Sequence, residues 1–365
     1  MKQKKILIAS DSYKGCLSSC EVNDAIAEGI QLGLSKKKND GQEYDEPEIM
    51  TFEMSDGGEG MLNAFLSAMG GERVRVNTHD ALMRNIDAEY GIVGGTAIVE
   101  IAQAIGLAQI EPSQRNPMRT TSYGVGEMVM DAYKRGMRHF IIGLGGSATS
   151  DCGIGMLRAM GDDWKTLRED CSFLLASDVT NPLCGEQGAA YVFAPQKGAN
   201  DEMVAELDAR ACRFADACAR HFGYDRSYEP GAGAAGGLGY AFMQFFNARQ
   251  QSGATFLLDI LHFDDLLDDT CLVVTGEGHS DNQTLMGKLP MRILSCARKH
   301  SVPVWLVSGC VDNVEDMNNA GFSHVISVTP SSMSLVEAMR KNVARECIKK
   351  AVSKALYSPN IAKNL

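Results

Sequence analysis

The sequence predicts an α/β protein: a doubly wound, Rossmann- or flavodoxin-like parallel-sheet domain with a mixed α/β domain inserted into it. Three observations carry this. The chain opens with strand and helix patterns in strict alternation, it returns to that alternation at its end, and the intervening stretch packs several strand patterns close together. Residues 4–10 (KKILIAS) read as a short buried strand. Ser18 and Glu21 then have capping-box spacing and open a helix to about residue 34. A polar run, KKKNDGQEYDEP, reads as a surface loop. EIMTFEM (48–54) alternates like a strand, and a helix after Gly58 runs to Met69, where Gly70 and Gly71 stop it.

The middle reads differently. RVRVNT, IDAEYGIV and TAIVEIA are closely spaced strands, followed by a loop with Pro112 and Pro117. A helix over about 124–135 leads into the strand HFIIGL (139–144). SFLLASDV (172–179) and YVFAP (191–195) read as further strands. A long amphipathic helix spans about 201–222, and another about 239–249. At the end, CLVVTG (271–276), VPVWLVSG (302–309) and HVISVTP (324–330) read as buried strands, and a helix over about 335–357 closes the chain. The expected division is therefore residues 1–80 plus 260–365 for the doubly wound domain and 81–259 for the insert, with the site in the cleft between them. No internal repeat is visible.

Composition limits the function. The 365 residues are 45% hydrophobic and 22% charged, which is globular, and the net charge of −11 argues against a general nucleic-acid binder. The apolar run at the N-terminus ends at Asp11, too short for a signal peptide, and no stretch reaches the roughly 18 apolar residues of a membrane span. A cytoplasmic enzyme with reduced thiols is the expectation. The eleven cysteines show no paired C-x-x-C spacing, and the seven histidines show no ligand spacing with them, so no zinc motif is legible. A P-loop is excluded, because Lys288 is followed by Leu289 and has no glycine at the required distance before it. Gly231, Gly233 and Gly236 match G-x-G-x-x-G, but DRSYEP before them is not a buried strand, so a nicotinamide fingerprint fails.

In an open parallel sheet, ligands sit beyond the carboxyl ends of the strands. Four strand patterns of the outer domain end in small, glycine- and acid-bearing turns: Asp11 to Gly15, Ser55 to Gly60, Thr275 to Asp281, and Ser308-Gly309. The inserted region repeats the composition at Gly143 to Gly153, Ser177 to Pro182 and Gly231 to Gly237. Such loops suit phosphates, since glycine lets backbone N–H groups approach. Tight packing of helix on strand selects the same residues, and for the 231–237 tract the two readings stand level.

The motifs DSYKGCLS, SDGGEG, GLGGSATSDCGIGML, SDVTNPL, PQKGA, PGAGAAGGLG and TGEGxxD, with VEIAQAIGL and RNPMRTTSYGVGEM, together resemble the bacterial glycerate kinase family of the glyoxylate- and galactarate-pathway type. The likeness covers nearly the whole chain, in the family's order. It implies phosphorylation of D-glycerate by ATP with Mg²⁺, and a two-domain α/β fold with the site between domains. Two features depart from the family: His279 stands where an Arg usually follows TGEG, and the segment before SFLLAS, about 161–171, is short.

Phosphoryl transfer needs positioning, neutralised phosphate charge and an acceptor for the hydroxyl proton. Asp56, Glu277 and Asp281 are the metal candidates, with helix capping as the alternative for each. Lys14, Asp178, Glu277 and Asp281 are the catalytic candidates, Asp178 as a base. Substrate or nucleotide contacts fall to Asp11, Ser12, Gly57, Gly58, Gly145, Gly146, Ser147, Thr149, Asn181, Lys197, Gly233, Gly236, Gly276, His279 and Lys288. Ser147 has helix capping as its alternative, and Glu100 is a strand-end carboxylate near the site. The partners expected are ATP and glycerate, without nucleic acid or membrane, in a monomer or homodimer. A non-catalytic binder of an organic acid or nucleotide on the same fold is the second reading. Whether the 2- or the 3-hydroxyl is phosphorylated is not legible.

Overall fold

A computed structural model describes residues 4–39 and 46–356. Its eleven strands are β1 (Lys5–Ile8), β2 (Glu48–Thr51), β3 (Glu72–His79), β4 (Asn85–Val93), β5 (Thr96–Glu100), β6 (His139–Gly143), β7 (Ser172–Ala176), β8 (Arg249–Gln251), β9 (Thr270–Ser280), β10 (Val304–Val311) and β11 (His324–Ser327). The chain divides into two compact units, residues 1–56 with 254–365, and residues 57–253.

The first unit holds a five-stranded sheet in the order β11-β10-β9-β1-β2, every pair parallel. Counted within the unit this is 2-1-3-4-5, the flavodoxin-like member of the doubly wound folds, whose order reverses between β1 and β9. Strand alternation sends Ile6, Ile8, Val274 and Val307 to one face, where they pack with Val22, Ile26 and Ile30 of helix Ser19–Asn39 and Ile348 and Val352 of helix Lys341–Leu356. Gly29 lets those two helices touch: a Cβ there would lie 2.9 Å from the Lys349 carbonyl oxygen. Leu7, Val273 and Leu306 alternate to the other side and are also fully buried; helix Leu289–Lys299 packs against β9 and β10. Each such side chain contributes roughly 1.5–3 kcal/mol of burial. The capping box at the first helix forms as its spacing predicts, with Ser18 N–H donating to Glu21 Oε2 at 2.8 Å and Glu21 N–H to Ser18 Oγ at 3.2 Å.

The second unit holds a six-stranded mixed sheet, β3-β4-β5-β6-β7-β8, antiparallel over its first three strands and parallel thereafter. Phe140 stacks on Phe173 at 4.8 Å between ring centres in its core. Residues 57–79 belong to this unit, where the strand-helix alternation put them with the first. Helix Met61–Met69 packs on β4 and β5, and β3 pairs along its whole length with β4, so tertiary pairing sets the division at Asp56/Gly57. The other division falls at Gly253/Ala254, after the first residue of helix Gly253–Ile260.

Several elements differ from expectation. YVFAP, rich in strand formers, is no strand: Tyr191 to Phe193 end a helix, Ala189–Phe193, and Pro195 opens a 3-10 turn, Pro195–Lys197. Burying Ala189, Ala190 and Ala194 leaves Tyr191 and Val192 exposed, a helical pattern set by the neighbouring helices Asp201–Phe222 and Ala234–Phe246 rather than by local propensity. The helix expected over 239–249 starts, as expected, just after a left-handed turn at Ala235, Gly236 and Gly237, but it stops at Phe246, and 249–251 form the edge strand β8. The closing helix is interrupted, Leu335–Ala338 and then Lys341–Leu356; its expected end at 357 and half of the polar loop, residues 40–45, lie outside the described residues. The first helix continues to Asn39. The short segment 161–171 is a closed connector, Gly161–Asp163 and helix Trp164–Asp170, with Trp164 edge-on to Phe245 at 5.2 Å.

Candidate active site

The first unit's polar residues gather where β1 and β9 end. β1 pairs with β9 only as far as Ile8↔Val274, but β9 and β10 continue as a two-stranded ribbon to Ser280↔Val311. The turn after β1 folds against this ribbon. Asp11 N–H donates to the Gly276 carbonyl at 2.9 Å, and the Tyr13 hydroxyl to the Val307 carbonyl at 3.1 Å. Gly276 allows the strands this close, because a Cβ would collide with the Val307 carbonyl oxygen. The result is a cavity of about 590 Å³ lined by Asp11, Ser12, Lys14, Asp56, Glu277, His279, Asp281 and Lys288 on one side. Met333, Leu335, Met339, Val328 and Pro330 make an apolar wall, and Leu335 is 76% exposed.

Charge within this cavity is crowded. Asp11 is buried, and burial first, then the Asp56 carboxylate, pushes it up to about 8. Lys14 and the Ser12 N–H, which lies 2.7 Å from Asp11 Oδ1, pull the other way. Lys14 Nζ lies 3.4 Å from Asp56 Oδ2, and Asp56 is the main reason that its ammonium is held above its ordinary range. Glu277 is also buried, and burial raises it; the Thr284 hydroxyl at 2.6 Å, Lys288, and the Ser280 hydroxyl at 3.1 Å oppose that rise. Both hydroxyls donate to Oε1. Oε2 faces Lys288 Nζ at 3.8 Å, and the same Nζ lies 3.9 Å from Asp281 Oδ1. Ser280 and Ser308 share a hydrogen bond of 2.7 Å behind Glu277.

In the second unit the glycine-rich loops pack on one another beyond β5, β6 and β7. Gly145 N–H donates to the Gly57 carbonyl at 3.1 Å, and a Cβ at Gly57 or Gly145 would strike the backbone of Ala176 or Gly58. Lys197 is buried; its Nζ donates to the Thr149 carbonyl at 2.6 Å and to Ser147 Oγ at 3.2 Å. Burial lowers it to about 8, with Asp151 opposing. The hydroxyls of Thr149 and Ser150 beside it are buried without a hydrogen-bond partner. Asp151 holds the loop, accepting from Ser122 N–H at 2.8 Å, Gly155 N–H at 3.0 Å and Gly153 N–H at 3.2 Å.

The structure thus brings Asp11, Ser12, Lys14, Asp56, Gly276, Glu277, His279, Asp281 and Lys288 together in one unit. It brings Gly57, Gly58, Gly145, Gly146, Ser147, Thr149 and Lys197 together in the other. Asp281 also acts as a helix cap: its Oδ1 accepts from Gln283 and Thr284 N–H at 2.8 and 3.3 Å. Glu100 caps too, accepting from Gly60 and Leu62 N–H at 3.2 and 3.0 Å, so its placement near a site reduces to holding helix Met61–Met69. Ser147 caps no helix and instead receives Lys197. His279 is held by Asp312, 2.6 Å away. Gly233 and Gly236 serve close packing: Gly233 N–H donates to the Asn181 carbonyl at 2.9 Å, Cys152 N–H donates to the Gly236 carbonyl at 3.0 Å, and Ala235, Gly236 and Gly237 all have left-handed backbone. Asp178 is exposed just past β7. Sequence reasoning missed Thr284, which the D-x-x-T spacing at 281–284 signals, and Asp151. It also missed the apolar wall, for which no local signal exists.

The sequence profile of the glycerate kinase family matches residues 6–166 and 162–356. The two matches meet where the 161–171 segment is short. A glycerate 2-kinase of Escherichia coli K12 is 35% identical over 365 positions, covering 92% of this chain and 93% of that protein. A glycerate kinase of Bacillus subtilis is 32% identical over 99% of both chains. A crystal structure from Salmonella typhimurium LT2 superposes with a TM-score of 0.78 at 35% identity, covering 100% of both chains.

Proposed function

The chain belongs to the glycerate kinase family, and from that premise we propose that it transfers the γ-phosphoryl group of ATP, with Mg²⁺, to a hydroxyl of D-glycerate. It is an enzyme, a kinase with an alcohol group as acceptor. One observation carries the site reading: buried Asp11 and Glu277, with Asp56, Asp281, Lys14 and Lys288, meet at the strand-order reversal of a parallel sheet, where such folds bind ligands.

The donors fit Mg²⁺. They are carboxylate oxygens only, and Glu277 keeps Oε2 after Oε1 is engaged by Thr284 and Ser280. Burial and then the Asp56 carboxylate raise Asp11, and the repulsion between the two carboxylates is the kind a dication relieves. Asp56, Glu277 and Asp281 would hold the ion, which when bound neutralises phosphate charge. Lys14 and Lys288 hold phosphoryl oxygens. The apolar wall of Met333, Leu335 and Met339 accepts a purine face. Asp11, which burial and the Asp56 carboxylate raise to about 8, takes the hydroxyl proton only in its ionised form, which a cation held beside Asp56 would favour. Lys197 with Ser147 and Thr149 offers a second anion cradle, suited to a carboxylate or phosphate. Asp178 is the competing proton acceptor, and Asp178→Asn against Asp11→Asn separates the two: the base variant loses kcat about 10²–10⁴-fold.

The test is ADP release coupled to D-glycerate with Mg²⁺, and phosphorus NMR of the product for the position phosphorylated. No turnover with glycerate ends the reading. ATP and glycerate binding without ADP formation favours a non-catalytic binder instead.

A further inference from the structure

The β9–β10 ribbon outlasts the rest of its sheet, and near its end His279 and Cys310 are direct cross-strand partners. Asp312 lies one residue past the end of β10, where its N–H donates to the Ser280 carbonyl at 3.0 Å and keeps it beside the ribbon. His279 Nε2 lies 2.6 Å from Asp312 Oδ1, and the three donor atoms of His279, Cys310 and Asp312 all lie within 4.8 Å of one another. No spacing in the sequence reveals this group, because the histidine and the cysteine come from different strands.

We propose that His279, Cys310 and Asp312 form a three-ligand site for a thiophilic divalent cation of the zinc class, with water in the fourth position. Tetrahedral zinc, with bonds near 2.0 Å to nitrogen and oxygen and 2.3 Å to sulfur, spaces its donors about 3.3–3.6 Å apart. The His279–Asp312 separation of 2.6 Å falls short of that range, so imidazole and carboxylate part by less than about 1 Å, and the thiol already lies within 4.8 Å of both. All three side chains are exposed. Imidazole, thiolate and carboxylate select a borderline metal over Mg²⁺, which takes oxygen donors. On binding, the Cys310 thiol releases its proton to solvent, and the imidazole gives up the Nε2 proton that Asp312 accepts and takes one from solvent on Nδ1, so the ring stays neutral. Asp312 exchanges its hydrogen bond from the imidazole for the metal. The site stands apart in ligand chemistry from the carboxylates assigned to Mg²⁺ and does not depend on that assignment. A second His/Cys/Asp/Glu group, Cys184, Asp208 and Cys212, is less suited: Asp208 Oδ1 already accepts from Gly185 N–H at 2.8 Å, and burial raises the Cys184 thiol.

The experiment is a Co²⁺ titration of the reduced full-length protein without nucleotide. One equivalent is expected to produce a thiolate-to-cobalt charge-transfer band that one equivalent of Zn²⁺ removes. Cys310→Ser abolishes the band, His279→Gln weakens Co²⁺ binding at least about tenfold, and the double variant Cys184→Ser with Cys212→Ser retains the band. Absence of a band overturns the assignment, as does a band that survives Cys310→Ser or disappears in the double variant.

Discussion

Replacing Asp11 by Asn stabilises the free protein at neutral pH while it removes activity. The sign follows from linkage. Below its ordinary value of 3.8 the Asp11 carboxyl is protonated both folded and unfolded and has no effect. Between there and about 8 the unfolded chain releases the proton and the folded chain keeps it, so stability falls as pH rises. At about 1.4 kcal/mol per pH unit, the cost at pH 7 reaches about 4 kcal/mol. Asn is isosteric, and its Oδ1 still accepts from the Ser12 N–H that now lies 2.7 Å from Asp11. It carries no charge to bury beside Asp56. If relaxation of Lys14 and Asp56 absorbs half the cost, about 2 kcal/mol remains, a rise of roughly 4–8 °C in the melting midpoint for a unit of this size. Melts of wild type and D11N at pH 5, 6, 7 and 8, without divalent metal or nucleotide, measure it. The variant's advantage should grow steadily with pH, while kcat with glycerate falls at least about 100-fold. A D11N advantage that is flat across this range, or a variant less stable than wild type at pH 7, refutes the argument that Asp11 is held protonated by burial and Asp56.

Lys197 gives the complementary case. Its folded value of about 8 lies below its ordinary 10.5, so burying the ammonium costs stability below pH 8 and that cost is relieved as pH rises toward 10.5. Wild type should therefore gain up to about 3 kcal/mol on Lys197→Met between pH 7.5 and 10, measured by paired denaturant melts. Glu277→Gln keeps the acceptor oxygen for Thr284 and Ser280 but removes the charge facing Lys288; kcat/KM is expected to fall about 10²–10³-fold with little change in melting midpoint. Gly276→Ala drives a methyl into the Val307 carbonyl oxygen and is expected to destabilise by about 1–3 kcal/mol, with faster proteolysis between β9 and β10.

What the sequence determined by itself was local. Whereas the turn expected over Thr275 to Asp281 is a continuation of β9 to Ser280 that its pairing with β10 imposes, the Ser18–Glu21 capping box, the alternation of β1 and β9, the helix ending at Phe222 before Gly223, and the acid-bearing turn after β1 are each written within a few residues, where backbone sterics and side-chain spacing decide. The motifs of the family were legible for the same reason, as short runs in order. Tertiary structure alone decided which runs meet. Residues 57–79 joined the second unit because β3 pairs with β4, and Tyr191 to Phe193 became helix because Ala189 and Ala190 before them are the face that neighbouring helices cover. Lys197 reached the Thr149 carbonyl, and His279 came opposite Cys310, through strand order and register. Pairings between residues tens of positions apart depend on the packing of the whole sheet, and no local pattern carries that information.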